Sequence, residues 1–106
     1  MGRYKEAEGL YLKALEIRKK SGRADHPATA RTMTSLANLY LTMGKYEDAE
    51  GLVQKAVEVN RRKLGQDHSE TAKSMQVMAE LHMAKGQYSE AEPLAKRALG
   101  IREKTF

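Results

Sequence analysis

Apolar residues return along this chain at steps of three and four, with polar residues filling the gaps. That spacing lays one apolar stripe along an α-helix, and five such stripes can be traced. The first spans Arg3 to Lys20 and carries Tyr4, Ala7, Leu10, Tyr11, Ala14 and Leu15. The second, Pro27 to Met43, carries Met33, Leu36, Ala37 and Tyr40. The third, Lys45 to Lys63, carries Tyr46, Ala49, Val53, Ala56 and Val57. The fourth, Ser69 to Lys85, carries Met75, Met78, Ala79 and His82. The fifth, Gln87 to Lys104, carries Tyr88, Ala91, Leu94, Ala95, Ala98 and Leu99.

The stripes are copies of one another. Gly2-Arg3-Tyr4-Lys5-Glu6-Ala7-Glu8-Gly9-Leu10 returns as Gly44-Lys45-Tyr46-Glu47-Asp48-Ala49-Glu50-Gly51-Leu52 and as Gly86-Gln87-Tyr88-Ser89-Glu90-Ala91-Glu92-Pro93-Leu94. The offsets are equal, 44 − 2 = 42 and 86 − 44 = 42. A fixed period of this size predicts helical units that stack because none can bury its apolar face alone.

Local signals set the helix ends. Gly22, Gly44 and Gly86 supply the left-handed conformation that closes a helix. Pro27 suits a first helical position, with Asp25 near the free amides ahead of it. Arg18, Lys19 and Lys20, and again Arg61, Arg62 and Lys63, fall in last turns, where the helix dipole favours cations. Gly9, Gly51 and Pro93 share one column and are all poor in a helix interior. They predict a close approach or slight bend there, largest at Pro93.

The second and fourth segments carry a further stripe on another face. It consists of Arg31, Thr34, Asn38 and Leu41, then Lys73, Gln76, Glu80 and Met83. Arg31 and Lys73 are one period apart, so their charges are expected on one wall. Glu80 offsets part of that charge.

Lys and Arg outnumber Asp and Glu by 19 to 14, a mild excess of +5 spread along the chain. It favours anionic partners only weakly. There is no Cys, which excludes disulfides, thiolate catalysis and Cys-based zinc sites. No apolar run approaches the roughly 20 residues of a membrane span, so no membrane partner and a cytoplasmic location are expected. Met1 abuts the first copy, and the chain reads as a cut from a longer array.

The run Leu36-Ala37…Tyr40…Gly44-x-Tyr46-x-x-Ala49…Ala56 resembles the tetratricopeptide repeat. The 42-residue unit, with Asp25-His26-Pro27-Ala28-Thr29-Ala30, Leu64-Gly65-Gln66-Asp67-His68 and Ala98-Leu99-Gly100-Ile101-Arg102-Glu103-Lys104, is similar to the kinesin light chain type. The resemblance covers essentially the whole chain. It implies an all-α fold, a right-handed α-solenoid of antiparallel helix pairs with five helices. Residues 2–24 would be the second helix of an incomplete repeat, and residues 25–66 and 67–106 two full repeats.

The same resemblance implies a non-enzymatic scaffold that binds a protein or peptide in a concave groove. By register, the groove positions are Arg31, Thr34, Asn38, Leu41, Lys73, Gln76, Glu80 and Met83, the stripe already read. Kinesin light chain repeats carry paired asparagines at the middle of this helix. Here Thr34-Ser35 and Gln76-Val77 stand there, so recognition of a kinesin-type acidic tryptophan motif is not implied.

Two other function classes are weighed. Leu10, Leu12 and Ile17 at one end, and Leu99, Ile101 and Phe106 at the other, are expected to be exposed and to favour a homo-oligomer through the terminal helices. The basic clusters could meet nucleic acid, but the dipole accounts for them and stacking aromatics are missing nearby, so this reading is disfavoured. Catalysis, a metal and a cofactor are not expected. His26 and His68 fall in matching loops about 10 Å apart, the spacing of packed helices, too far to share one zinc. His82 occupies the core column of Tyr40.

Overall fold

The computed structural model describes residues 2–105, and the side chains of these except at 2, 88, 89, 91 and 102–105. Five α-helices follow one another: α1 (Gly2–Lys20), α2 (Pro27–Thr42), α3 (Tyr46–Leu64), α4 (Ser69–Ala84) and α5 (Tyr88–Thr105). The ends fall within a residue or two of the periodic reading. α2 packs on α3 and α4 on α5 as antiparallel hairpins; α3 meets α4, α1 meets α2, and α2 lies beside α4.

Glycine closes the hairpins where predicted. Gly44 and Gly86 adopt φ 78° and 79°. The amide after each glycine reaches back: Lys45 N–H donates to the Tyr40 carbonyl at 2.8 Å, and Gln87 N–H to that of His82 at 2.7 Å. These bonds occupy carbonyls that the helix end would otherwise leave unpaired.

The helix starts differ from expectation. Histidine, not aspartate, caps α2 and α4. The Ala28 N–H donates to His26 Nδ1 at 3.1 Å, and the Glu70 N–H to His68 Nδ1 at 3.0 Å. Asp25 and Asp67 turn outward instead, to Arg62 at 3.4 Å and Arg97 at 3.2 Å. Each loop is also tied by a buried threonine. Thr29 Oγ1 donates to the Arg23 carbonyl at 2.6 Å and Thr71 Oγ1 to the Gly65 carbonyl at 2.8 Å.

The core runs through the hairpins. Leu36, Ala37 and Tyr40 of α2, Ala49, Val53 and Val57 of α3, Ala72, Met75 and Leu81 of α4, and Ala98 and Ile101 of α5 form one buried cluster. A smaller one joins Ala30 and Met33 of α2 to Ala56 and Val59 of α3. His82 is half-buried with Nδ1 2.7 Å from Gln87 Oε1, a packed and bonded histidine. Ile101, expected at an exposed end, is buried. It is the equivalent of Val59, and both face the leading helix of their own hairpin. Ile17, the third member of that column, is 59% exposed. The Tyr88 and Phe106 side chains lie outside the described residues.

The expectation of a close approach at the glycine column is corrected. A Cβ built at Gly9 or Gly51 meets nothing within 4 Å, so this column faces open solvent. The glycines therefore carry only their backbone entropy cost. Gly51→Ala is expected to stabilise the chain by about 1 kcal/mol, read as a higher urea midpoint at constant slope.

The α1–α2 contact carries a polar anchor. Tyr40 Oη donates to Glu8 Oε2 at 2.7 Å, and Lys45 Nζ lies 5.8 Å from the Tyr40 ring centre. Burial, then the bond to Glu8 and the charges of Glu8 and Asp48, push the Tyr40 phenol up to about 12 from 10.0. A phenol raised on folding contributes stability that is complete below its unfolded value and is lost as pH climbs through the folded one. Wild type should lose stability between pH 10 and about 12. Tyr40→Phe should remove this part of the loss, measured by denaturant titration across that window.

Candidate functional site

α2 and α4 lie side by side with the same register, so their second stripes share a surface. An open depression of about 300 Å³ is lined by Thr34, Ser35 and Asn38 of α2 and by Lys73, Gln76, Val77 and Glu80 of α4. Five of the eight positions read from the sequence meet there: Thr34, Asn38, Lys73, Gln76 and Glu80.

The other three fall around it. Arg31 is exposed beside the depression. Leu41 is half-buried and packs against the main core cluster rather than into the depression. Met83 is exposed and borders a second, apolar trough of about 230 Å³ with Gln76, Ala79, Glu80, Ala95, Ala98 and Leu99. Gln76 and Glu80 line both hollows, so the polar surface runs directly into the apolar one.

Glu70, outside the periodic stripe, completes this wall. Its Oε2 lies 3.6 Å from Arg31 Nε and its Oε1 3.4 Å from Lys73 Nζ. The two cations do share one wall, but a carboxylate only 19% exposed holds them together. Their joint pull on an outside anion is reduced accordingly. The signal that could have found it is the (i, i+3) spacing of Glu70 and Lys73 on one helix. Thr34 Oγ1 donates to the Ala30 carbonyl at 2.9 Å, which fixes the hydroxyl on its own helix. Its lone pairs remain available as acceptors.

A third hollow, about 360 Å³ and mostly apolar, opens between α1 and α3 with Leu12, Leu15, Met33 and Leu52 on its walls. It is floored by Thr29 and Met33 of α2 and lies away from the α2–α4 surface. Among the described residues no cluster of three His, Asp or Glu could hold a metal ion, and no helix is long and apolar enough to cross a membrane. The basic last turns of α1 and α3 are partly paired with acids: Lys20 with Glu16 at 3.3 Å, Arg62 with Asp25 at 3.4 Å.

The family model described as tetratricopeptide repeat matches residues 1–62 and again 41–104. The chain belongs to the tetratricopeptide repeat family. None of the curated proteins matches. Among solved structures, BtubC (BKLC) from P. vanneervenii is similar at 27% identity and a TM-score of 0.90. The likeness covers 97% of this chain and 41% of that one, so the chain spans less than half the length of this relative. The five helices of this chain form an all-α solenoid whose fold is shared with that structure. Tetratricopeptide repeats generally mediate contacts between proteins and are typically not enzymes.

Proposed function

We propose that this tetratricopeptide array is a non-enzymatic protein-binding module that holds an extended peptide against the α2–α4 surface. Within it, residues 25–66 and 67–106 act as two full repeats, and residues 2–24 as the second helix of a preceding one. The observation that carries the reading is the meeting of Thr34, Asn38, Lys73, Gln76 and Glu80 around one open depression. Asn38 and Gln76 offer both donors and acceptors, which suits the backbone of an unpaired strand. Arg31 and Lys73 mark the end for a ligand carboxylate, and Glu80 the end for a ligand cation. The peptide would therefore be polarised, acidic toward the start of α4 and basic or polar toward its end.

The test compares wild type with Arg31→Glu/Lys73→Glu against a panel of acidic and basic peptides. A selective loss of acidic ligands supports the assignment. Binding unchanged across the panel removes it.

A second reading, self-association through the terminal helices, is favoured by Leu10 and Ile17, 70% and 59% exposed on α1. Sedimentation of wild type and Leu10→Glu should then show a dimer that the variant loses. A wild-type monomer at high concentration ends this reading.

A further inference from the structure

The apolar hollow between α1 and α3 has a counterpart one period on, and a side chain straps the counterpart. Shifting by 42 residues turns two of its lining positions, Ala24 and Lys55, into Gln66 and Arg97. Arg97 of α5 reaches the loop before α4, with one guanidinium nitrogen 3.1 Å from Gln66 Oε1 and 3.2 Å from Asp67 Oδ1. In that unit Val57 and Met75 are 5% and 3% exposed. Their equivalents Leu15 and Met33, on the walls of the first hollow, are only half-buried. Ala24 has no side-chain acceptor to hold such a strap, and Asp25 turns to Arg62 instead. The first hollow therefore stays open.

Its walls are also more apolar than the repeat requires. Leu12 is 47% exposed. Its equivalents Gln54 and Lys96 are exposed on helices that each pack against the leading helix of their own hairpin, so this column faces solvent there and is polar. Lys19 and Lys55 stand exposed on the rim, and neither is paired with an acid among the described residues. The acid of the lining, Glu16, is 3.3 Å from Lys20. Positive charge is thus left in excess over apolar walls. Little here suits a peptide backbone. Thr29 Oγ1 donates its proton to the Arg23 carbonyl at 2.6 Å, and no Asn or Gln lines the hollow.

We infer that the α1–α3 hollow is a binding site for a single-chain anionic amphiphile of the fatty-acid class. The hydrocarbon lies against Leu12, Leu15, Met33 and Leu52, and the carboxylate meets Lys19 and Lys55 at the rim. A volume of about 360 Å³ is at the lower end of small-molecule sites, whose walls are mostly apolar with a few polar groups that fix orientation. Lysine stems lie along apolar surface while their ammonium ends stay in water, which places the charges at the mouth. An exposed ion pair contributes little, so chain burial supplies most of the affinity. This inference stands apart from the peptide reading of the α2–α4 surface, since the two hollows share no residue.

The probe is decanoate, titrated into the full chain below its micelle concentration and followed by amide and methyl shifts. Saturable binding is expected, with shifts at Leu12, Leu15, Met33 and Leu52. Affinity should rise about fourfold for each CH₂ between octanoate and decanoate. Decanol, which keeps the chain and loses the charge, should bind about fivefold more weakly, and Lys19→Gln/Lys55→Gln should weaken decanoate by a similar factor. Ala24→Gln/Lys55→Arg copies the strap of the second unit without changing the charge. It should weaken decanoate about tenfold or more by closing the walls to the chain, and should leave peptide binding at the α2–α4 surface unchanged. None of these positions is fully buried, so the variants should fold, which circular dichroism can verify. Absence of saturable decanoate binding would overturn the inference. So would equal binding by the strapped variant, or shifts that leave those four residues unmoved. Binding to anionic phospholipid vesicles with none to decanoate would also overturn it, marking the two lysines as a membrane-surface contact.

Discussion

Leu81→Ala is expected to cost about 2–5 kcal/mol, the range for removing a fully enclosed leucine side chain. Leu81 has no exposed surface and belongs to the cluster that includes Ala98 and Ile101 of α5. Domains of this size have a total of about 5–15 kcal/mol, and a loss this large would leave a measurable unfolded fraction. The comparison is Leu39→Ala, one period earlier and only half-buried, which should cost distinctly less. Urea titration reads both, with a shift in midpoint at constant slope as the signature of a stability change.

The second large effect is on binding. Arg31→Glu/Lys73→Glu turns a wall of two cations and one carboxylate into three carboxylates, because Glu70 lies within 3.6 Å of both cations. Each exposed ligand contact is modest, about 0.2–1 kcal/mol. Repulsion from three clustered acids adds to the loss, and an acidic peptide should weaken about tenfold or more. A basic peptide should gain. Glu70→Gln should act in the opposite sense. It frees both cations, strengthens an acidic peptide and steepens the salt dependence. Titration calorimetry of the three proteins with one acidic peptide at two salt concentrations decides it.

The helices were legible because apolar period and glycine position agree, as at Gly44 and Gly86. The α2–α4 wall was legible because two helices in the same register bring equal positions together. Thr34 and Gln76, 42 residues apart, line one depression for that reason. Leu81 and Ile101 were harder. Polar residues are buried too, Thr29, Asn60, Thr71 and Ser74 each exposing 1% or less, so the apolar period does not mark the whole interior. Asn60 Nδ2 donates to the Glu70 carbonyl at 3.3 Å and lies 3.4 Å from Ser74 Oγ. Ser74 in turn donates to the Thr71 carbonyl at 2.9 Å. Bonded in this way, Ser74 and the amide NH2 of Asn60 are buried at little cost, while Asn60 Oδ1 is buried without a partner among the described residues, and composition alone does not mark these residues as interior.

Other misses have a common cause, dependence on a partner far along the chain. Glu70 reads as an ordinary first-turn acid until α2 brings Arg31 beside it. Leu41 has a groove position by period, yet packs against the core because α4 lies alongside α2. His26 and His68 are a local exception, since each accepts at Nδ1 an amide of the helix start it caps, two residues on. Histidine is a less usual choice there than Ser, Thr, Asp or Asn, and so the cap was assigned to the neighbouring aspartate.

Backbone amide shifts during titration with a bound peptide address the binding role most directly. Perturbations should cluster at Thr34, Asn38, Lys73, Gln76 and Glu80, the residues that face one another across α2 and α4. Perturbations confined to α1 and α3, with those five unmoved, would contradict it.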